Sequence, residues 1–107
     1  MGRQNPLKYA SFIGKSMADK IRCAHILVKT EQEAKEIYED VMNGISFSAL
    51  AEMKSTCPSR KRGGDLGPFG RGQMVKPFEK VAFALEKGKT SGPVKTEFGW
   101  HIIKRLE

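Results

Sequence analysis

A glycine-rich stretch that runs directly into a helical pattern constrains this chain more than any other segment. The stretch "GGDLGPFGRGQMVKPFEKVAFAL", residues 63–85, has five glycines and two prolines among its first fifteen residues. Glycine permits left-handed backbone and close approach of the chain, and proline restricts turns, so the pattern predicts a loop of defined shape. Its apolar side chains are ones that would normally belong to a core, namely Leu66, Phe69, Met74 and Phe78. We therefore expect an ordered loop and not a linker.

Hydrophobic periodicity predicts an ordered series of strands and helices around this loop. A helix is predicted directly after the first strand, because Thr30 and Glu33 form a capping box ahead of apolar residues at helical spacing. The predicted elements are a strand at 20–29, helices at 30–44 and 46–54, a short strand at 67–70 within a loop from 55 to 76, a helix opened by Pro77 at its first position and ending at 85, and strands at 91–96 and 100–107. This order implies an α+β fold with a small, mostly antiparallel sheet and helices around it.

Length and composition fit one globular domain. The chain has 107 residues, of which 39% are hydrophobic and 29% charged, and no apolar run approaches the roughly 20 residues that span a bilayer. We interpret residues 1–16 as a leader, added for expression or disordered, and residues 17–107 as the folded domain. The leader lacks the apolar centre of a secretory signal. Two cysteines without an export signal favour a reducing cytoplasm over a disulfide framework.

The net charge is modest once the leader is set aside. The formal net charge of the whole chain is +7, but the leader contributes three basic residues and no acid, which leaves 16 basic and 12 acidic residues and a net charge of +4. The densest basic cluster is Arg60-Lys61-Arg62, just before the glycines. Two interpretations stay open: the triplet contacts the phosphates of nucleic acid or an anionic membrane, or it belongs to a solvated loop.

Two histidines and one cysteine are the candidates for chemistry. His25 and His101 each lie within a predicted strand, and they would be neighbours if the first and last strands pair. They could be a structural pair or a functional one. Cys57 stands outside the predicted helices, directly before Pro58 and close to the glycine-rich loop. An isolated cysteine is more often inert than reactive.

Three kinds of site could use these side chains. A Cys/His hydrolase needs an activated thiolate and an oxyanion hole, and the sequence has no signature for one. A zinc site could draw on Cys23, His25, Cys57 and His101, but Cys-x-His along a strand is not a usual ligand pair and no C-x-x-C is present. The third possibility is a set of polar groups that hold a substrate amide without breaking a bond.

Three segments resemble the parvulin family of peptidyl-prolyl cis/trans isomerases. They are "IRCAHILVK", "GGDLGPFGRGQMVKPFE" and "SGPVKTEFGWHIIKRLE", in the family's order, and the resemblance covers residues 20–107. It implies a parvulin-like four-stranded antiparallel sheet surrounded by helices in the order β-α-α-β-α-β-β. It leaves open a further short helix between residues 55 and 65. The active site would lie on one side of the sheet beneath the glycine-rich loop.

The resemblance also implies roles for individual side chains. The residues at the family's catalytic positions are His25, Cys57, Thr96 and His101. The residues at its substrate-binding positions, which include the apolar pocket for the proline ring, are Leu66, Gln73, Met74, Phe78 and Phe98. The family carries cysteine or aspartate at the place of Cys57, which argues against obligatory covalent chemistry. The resemblance implies no cofactor and no metal.

The implied activity is cis/trans isomerisation of X-Pro bonds in unfolded or flexible polypeptide segments, by a cytoplasmic monomer. The phosphate-directed branch of the family has a long basic loop after its first strand, whereas here Val28-Lys29-Thr30 leads straight into a helix. We therefore expect no dependence on phosphorylation. Phe98 replaces a serine of that branch, which favours a bulky apolar residue before proline. The alternative is a basic module that binds nucleic acid or an anionic membrane through Arg60-Lys61-Arg62, with weak isomerase activity.

Overall fold

The computed structural model describes residues 19–107, so the expected leader at 1–16 and the domain boundary at 17 lie outside the described residues. The described part contains four strands, three α-helices and one 3-10 helix. In chain order they are β1 (Lys20–Val28), α1 (Glu31–Met42), α2 (Phe47–Lys54), the 3-10 helix (Pro58–Arg62), β2 (Asp65–Gly70), α3 (Lys76–Ala84), β3 (Val94–Thr96) and β4 (Gly99–Arg105). None of these helices has the length and apolar character needed to cross a membrane.

The four strands form one antiparallel sheet, which confirms the predicted fold. Its strand order is β2-β1-β4-β3, so the first and last strands pair at the centre. In this register His25 lies opposite Ile103, and His101 lies opposite Leu27. Side chains two residues apart along a strand share a face, so the two histidines come together as diagonal neighbours.

The central strands are buried on both faces, and each face has its own core. Ala24, Ile26 and Val28 of β1 pack against α1 and α2, together with Ile102 of β4. The alternate residues face α3, and this second core contains Ile21, Cys23, Phe69, Phe78, Ala82, Phe83 and Ile103. The apolar character of both sides of β1 follows from this position between two layers of helix. We call the α1 and α2 side the rear face and the α3 side the front face.

The short link between β1 and α1 comes from the predicted capping box. The Thr30 hydroxyl accepts a hydrogen bond from the Glu33 backbone N–H at 3.2 Å, and the Glu33 carboxylate accepts one from the Thr30 N–H at 3.2 Å. These bonds satisfy backbone donors that the first turn of a helix leaves free. The strand therefore passes into α1 through Lys29 and Thr30 alone, with no room for a longer loop.

Several predicted boundaries were wrong. The region from 55 to 76 is more regular than predicted. It contains the 3-10 helix, which is the further short helix that the resemblance allowed between residues 55 and 65, and β2 begins at Asp65 and not at residue 67. Helix α3 begins at Lys76, so Pro77 is its second residue. The strand predicted at 91–96 is reduced to Val94–Thr96, since Gly92 and Pro93 interrupt the ladder and proline has no N–H to donate.

Candidate active site

A buried histidine pair lies at the centre of the front face. His25 and His101 have 5% and 4% of their surface exposed, and their Nδ1 atoms are 2.9 Å apart. The two rings are stacked with centroids 5.1 Å apart. The prediction that these side chains meet on paired strands is confirmed by this distance.

The donors and acceptors available on Thr96 decide which groups donate in the chain of hydrogen bonds from Thr96 through His101 to His25. The Thr96 hydroxyl accepts from the Phe98 N–H at 3.1 Å and lies 2.7 Å from His101 Nε2. If Thr96 donates to His101 Nε2, its buried hydroxyl is satisfied as both donor and acceptor, whereas the reverse direction leaves its proton without an acceptor. His101 Nδ1–H then donates to His25 Nδ1, and His25 carries its proton on Nε2. Among the described residues, this buried Nε2 has no hydrogen-bond partner.

Burial keeps both imidazoles uncharged at neutral pH. Desolvation, with a smaller contribution from the neighbouring His101, lowers the pKa of His25 to about 4. Desolvation alone lowers the pKa of His101 to about 4. A protonated pair would bring two positive charges into contact where no described carboxylate forms a salt bridge with either ring. The pair is therefore a neutral hydrogen-bonded unit.

Cys57 is held beside β1 by two serines. The Ser55 hydroxyl accepts from the backbone N–H groups of both Leu27, at 3.1 Å, and Cys57, at 3.2 Å. The hydroxyl of buried Ser59 donates to Cys57 Sγ at 3.3 Å. Pro58 begins the 3-10 helix that carries Ser59 back toward the sulfur. The half-buried thiol is thus fixed in position and acts as a hydrogen-bond acceptor.

A cavity of about 380 Å³ opens over this network. It is lined by His25, Leu27, Cys57, Leu66, Gln73, Met74, Val75, Phe78, Phe98 and His101. All the site residues expected from the resemblance line it except Thr96, which lies behind His101. Phe78 is 2% exposed and meets both imidazoles edge-on, with centroids 5.6 Å from His25 and 5.3 Å from His101. The arrangement is an apolar socket with a polar floor, and the roles of its residues in binding and catalysis stay predictions.

Two short hydrogen bonds shape the loop that forms one wall of the cavity. Gln73 Oε1 accepts from the Gly70 N–H at 2.6 Å, which closes a turn after β2. Glu79 Oε1 accepts from the Gly72 N–H at 2.6 Å and ties this turn to the first turn of α3. Gly72 has φ +84°, a conformation that favours glycine. The loop that carries Met74 is thereby linked to the helix that carries Phe78.

Sequence reasoning missed some residues around the site. Leu27 and Val75 line the cavity, and Ser59 and Glu79 make hydrogen bonds that position other groups. The alternation of β1, which places Leu27 on the same side as His25, could have identified Leu27. The hydrogen bonds of Ser59 and Glu79 depend on the path of irregular backbone, which no periodicity in the sequence reveals.

The residues considered for a zinc site do not form a ligand cluster. Cys23 lies fully buried in the front core, and burial raises the pKa of its thiol to about 11, an effect that Arg105 partly opposes. A thiol with a raised pKa is a poor metal ligand, because the thiolate is the form that binds. Within residues 19–107, no three histidine, cysteine or acidic side chains converge as metal ligands.

Comparisons with known proteins agree with this geometry. A family model described as Rotamase, a PPIC-type PPIASE domain, matches residues 24–107. The chain is 52% identical over 86 residues to foldase protein PrsA 4 of Bacillus cereus, an alignment that covers 79% of this chain and 31% of that protein. The chain therefore spans about a third of the length of the curated relatives it matches.

Solved structures of two kinds share the fold. The peptidylprolyl isomerase PrsA of Bacillus anthracis superposes with a TM-score of 0.81 at 44% identity, over 81% of this chain and 41% of the other. The Pin protein of the psychrophilic archaeon Cenarcheaum symbiosum superposes with a TM-score of 0.75 at 56% identity, over 86% of this chain and 96% of the other. The fold thus occurs both as part of a longer chain and as nearly the whole of a small one.

Proposed function

The chain belongs to the PPIC-type, or parvulin, family of peptidyl-prolyl cis/trans isomerases, and from that premise we propose that it isomerises X-Pro bonds in flexible polypeptide segments. The observation that supports this most is the cavity, in which apolar walls surround a buried, neutral histidine pair. A proline ring fits such walls, and the preceding carbonyl would lie near the polar floor. No bond has to be made or broken.

The reaction requires rotation about a partial double bond. The barrier is about 18–20 kcal/mol, and it arises because resonance keeps the amide planar. Water around the carbonyl oxygen favours the charge-separated resonance form, so a drier environment weakens that stabilisation. Contacts that fit the twisted amide better than the planar one lower the barrier further. An acceleration of three to six decades needs only about 4–8 kcal/mol, which shape and a few hydrogen bonds can supply.

We assign different roles to the polar residues of the floor. His101, with Thr96 behind it, orients His25, and the neutral His25 ring forms part of the polar floor beneath the substrate. Cys57 stands beside the turning carbonyl as a polar element and not as a nucleophile. The acceptor role of its sulfur toward Ser59 supports this assignment, since the hydroxyl donates and removes no proton from the thiol.

We further propose that substrates need no phosphate and that a bulky apolar residue is preferred before proline. Lys29 and Thr30 are the only residues between β1 and α1, so the chain has no basic loop there to hold a phosphate. Phe98 lies at the rim of the cavity with 63% of its surface exposed. An exposed aromatic ring at this place can pack on an apolar side chain next to the proline.

The decisive experiment measures the exchange between cis and trans forms of an unphosphorylated peptide such as Ala-Leu-Pro-Phe by exchange NMR. We expect catalytic amounts of the protein to accelerate exchange, and Met74→Lys to lower kcat/KM at least tenfold because it places a charge in the apolar wall. Met53→Lys is the matched control, since Met53 is 71% exposed and lies outside the cavity. Absence of acceleration, or equal loss in both variants, would contradict the proposal.

A peptide series tests the substrate preference separately. Leucine, alanine, glutamate and phosphoserine would be compared at the position before proline. We expect kcat/KM to be greatest for leucine, and Phe98→Ser to reduce the difference between leucine and alanine. A strong preference for phosphoserine would overturn the proposed specificity and leave the isomerase activity itself intact.

We also propose that the domain acts as a monomer in a reducing cytoplasm on proline-containing polypeptides. The two cysteines support the reducing compartment, since Cys23 is buried and neither is in a disulfide. Light scattering across a concentration series and cell fractionation would test these points. Binding of nucleic acid or an anionic membrane through Arg60-Lys61-Arg62 stays a prediction. It would weaken steeply between low and physiological salt, whereas turnover of a neutral peptide would barely change.

A further inference from the structure

A second cavity, of about 480 Å³, lies on the rear face of the sheet. It is bounded by the end of α1, the start of α2, the end of the 3-10 helix, the first residue of β2, and the end of β4 with Leu106 after it. Ala24 forms part of its floor, whereas the next residue, His25, lies on the front face. We call it the rear groove and define it by Val41, Ile45, Phe47, Arg62, Lys104 and Leu106. The proposed isomerase reaction does not use it.

Part of the surface of the rear groove is apolar and accessible to solvent. Ile45 lines it and is 48% exposed, and Met42, three residues earlier at the end of α1, is 53% exposed. Val41 and Leu106 are only partly buried against the rear core beneath. A single exposed apolar residue is common, but Ile45 lies on a concave surface that it shares with the partly buried Val41 and Leu106, and such a surface is a place where another molecule can pack.

The charged residues of the groove favour an anionic occupant. Arg22 binds the carboxylate of Asp65 through Nε and that of Glu107 at 3.0 Å, so both of these acids already have a partner. Asp65 lines the groove beside Arg62 and Lys104, and Arg62 Nε donates to the Asp65 backbone carbonyl at 3.4 Å while its charge helps to lower the pKa of the Asp65 carboxyl. Within residues 19–107, neither Arg62 nor Lys104 has a carboxylate partner in a salt bridge, so the lining carries two basic side chains and one acid that Arg22 already binds. Arg60 and Lys61 precede Arg62 on the exposed 3-10 helix and add to the positive potential.

The position of Arg62 at the edge of the groove is set by close backbone packing. Gly63, which ends the 3-10 helix, has φ +67°, and a Cβ atom there would lie 2.6 Å from Cβ of Ser48. Only glycine lets the 3-10 helix approach the start of α2 this closely. The backbone at Arg62 is therefore held next to the start of α2, where Phe47 and Ser48 line the groove.

We propose that the rear groove binds an acidic polypeptide segment that carries a large apolar residue between its carboxylates. Ile45 and Leu106 contact the apolar residue, and Arg62 and Lys104 pair with the carboxylates on either side. A nucleic acid backbone offers no aliphatic side chain for the floor, and a membrane surface is too flat to enter a concave groove. The domain can thus hold a polypeptide at a place separate from the proline that it isomerises.

The probe for this proposal is the proline-free peptide Glu-Asp-Leu-Phe-Asp-Glu, labelled with fluorescein and followed by anisotropy. The double variant Arg62→Glu/Lys104→Glu should weaken its binding at least tenfold, and Ile45→Ser at least threefold. The control Lys29→Glu/Lys87→Glu makes the same change in net charge at exposed positions outside the groove and should alter binding less than twofold. Turnover of a short X-Pro peptide should be unchanged in all variants, which shows that they fold.

Three results would overturn the proposal. Displacement of the probe by a saturating X-Pro peptide would place it in the catalytic cavity. If both double variants lost the same amount of peptide affinity, the net charge of the protein alone would attract the peptide. Binding of duplex DNA or phosphatidylserine vesicles as tight as that of the peptide, and insensitive to Ile45→Ser, would identify a basic surface without an apolar anchor. None of these outcomes bears on the isomerase activity, which the exchange experiment tests independently.

Discussion

His25 and His101 make the stability of the domain depend on pH, because burial lowers the pKa of both from 6.5 to about 4. The unfolded chain binds protons on these rings below pH 6.5, and the folded domain does not until the pH approaches 4. The free energy of unfolding should therefore fall as the pH falls from 6.5 toward 4, by up to about 1.4 kcal/mol per pH unit for each ring. Urea unfolding at pH 7.5, 5.5 and 4.5 measures this slope.

A matched variant isolates the contribution of the pair. Replacement of both histidines by leucine should remove this part of the slope. The carboxylate of Asp65 affects stability in a lower pH range than the histidines. The reason is that its hydrogen bond from Arg22 keeps its pKa below the ordinary value of 3.8, so the stability that it contributes is lost only as the pH falls below that value. A wild-type protein equally stable at pH 7.5 and 4.5 would show that the rings are not buried and neutral.

Cys57 should tolerate replacement by an acid. An aspartate can accept the hydrogen bond that Ser59 now donates to the sulfur, and the proposed reaction needs no nucleophile. We expect Cys57→Asp to keep kcat/KM within about tenfold of the wild-type value, or about 1.4 kcal/mol. Exchange NMR on Ala-Leu-Pro-Phe measures it. A folded Cys57→Asp protein with no activity would show that the thiol has a chemical role.

At the scale of single residues, the strand pattern placed each histidine within a strand, but it made them neighbours only on the condition that the first and last strands pair. Both histidines fall in strongly alternating segments, so the pairing of β1 with β4 brings them to one face. Leu66, Met74 and Phe78 could be placed around one cavity only through the resemblance. The partners of Cys57 could not be predicted, because a hydroxyl two residues away reaches the sulfur only through the turn at Pro58.

Among the elements, the loop between β2 and α3 depends most on a single side chain. Glu79 ties Gly72 to α3, so it fixes the distance between Met74 on the loop and Phe78 on the helix. Glu79→Ala should raise KM about three- to tenfold and leave kcat within twofold, because a hydrogen bond to a charged group contributes about 1.5–3 kcal/mol and partial exposure reduces this. Steady-state kinetics on a short X-Pro peptide separate the two constants.

Conservative substitution distinguishes positioning from a general effect on stability. Glu79→Gln keeps an oxygen acceptor and should have a KM close to the wild-type value. Glu86→Ala, at an exposed acid just beyond α3, should leave both constants unchanged. If Glu79→Ala and the wild type have the same KM, the hydrogen bond to Gly72 does not position the loop.

The predictability of each element followed the strength of its local signals. Helix α1 could be predicted because its capping box and apolar spacing are local. The 3-10 helix and the start of β2 could not, because their backbone bonds are to distant or irregular segments: Gly64 N–H donates to Ser59 O, and His25 N–H donates to Gly64 O, both at 2.9 Å. Glycines and prolines also interrupt the periodicity by which a strand is recognised.

At the scale of the whole molecule, one sheet joins two cores, so the two faces should unfold together. Ile102 and Ile103 are both fully buried, one in the rear core and the other in the front core. Replacing either by valine should cost about 0.5–1.5 kcal/mol and lower Tm by about 4–8 °C for each kcal/mol. Fluorescence of Trp100, which packs on the rear core, and NMR signals of the histidines on the front face report the two sides.

Both probes should shift by the same amount in each variant, whichever face carries the change. Coincident transitions are the mark of a single cooperative unit. If Ile102→Val shifted only the Trp100 signal, the helical layer on the rear face would be able to open while the cavity stayed intact. That result would show that the rear groove and the front-face cavity are independent in stability as well as in position.

The histidine pair joins residues that are 76 positions apart in the chain. During synthesis, β1 with His25 leaves the ribosome early. It cannot pair with β4 until that strand has also left the ribosome. In a nascent chain the histidine pair therefore cannot form until almost all of the described domain has been translated. A domain proposed to isomerise X-Pro bonds in other polypeptides must itself first complete the slowest kind of contact in its fold, one that joins segments far apart in sequence.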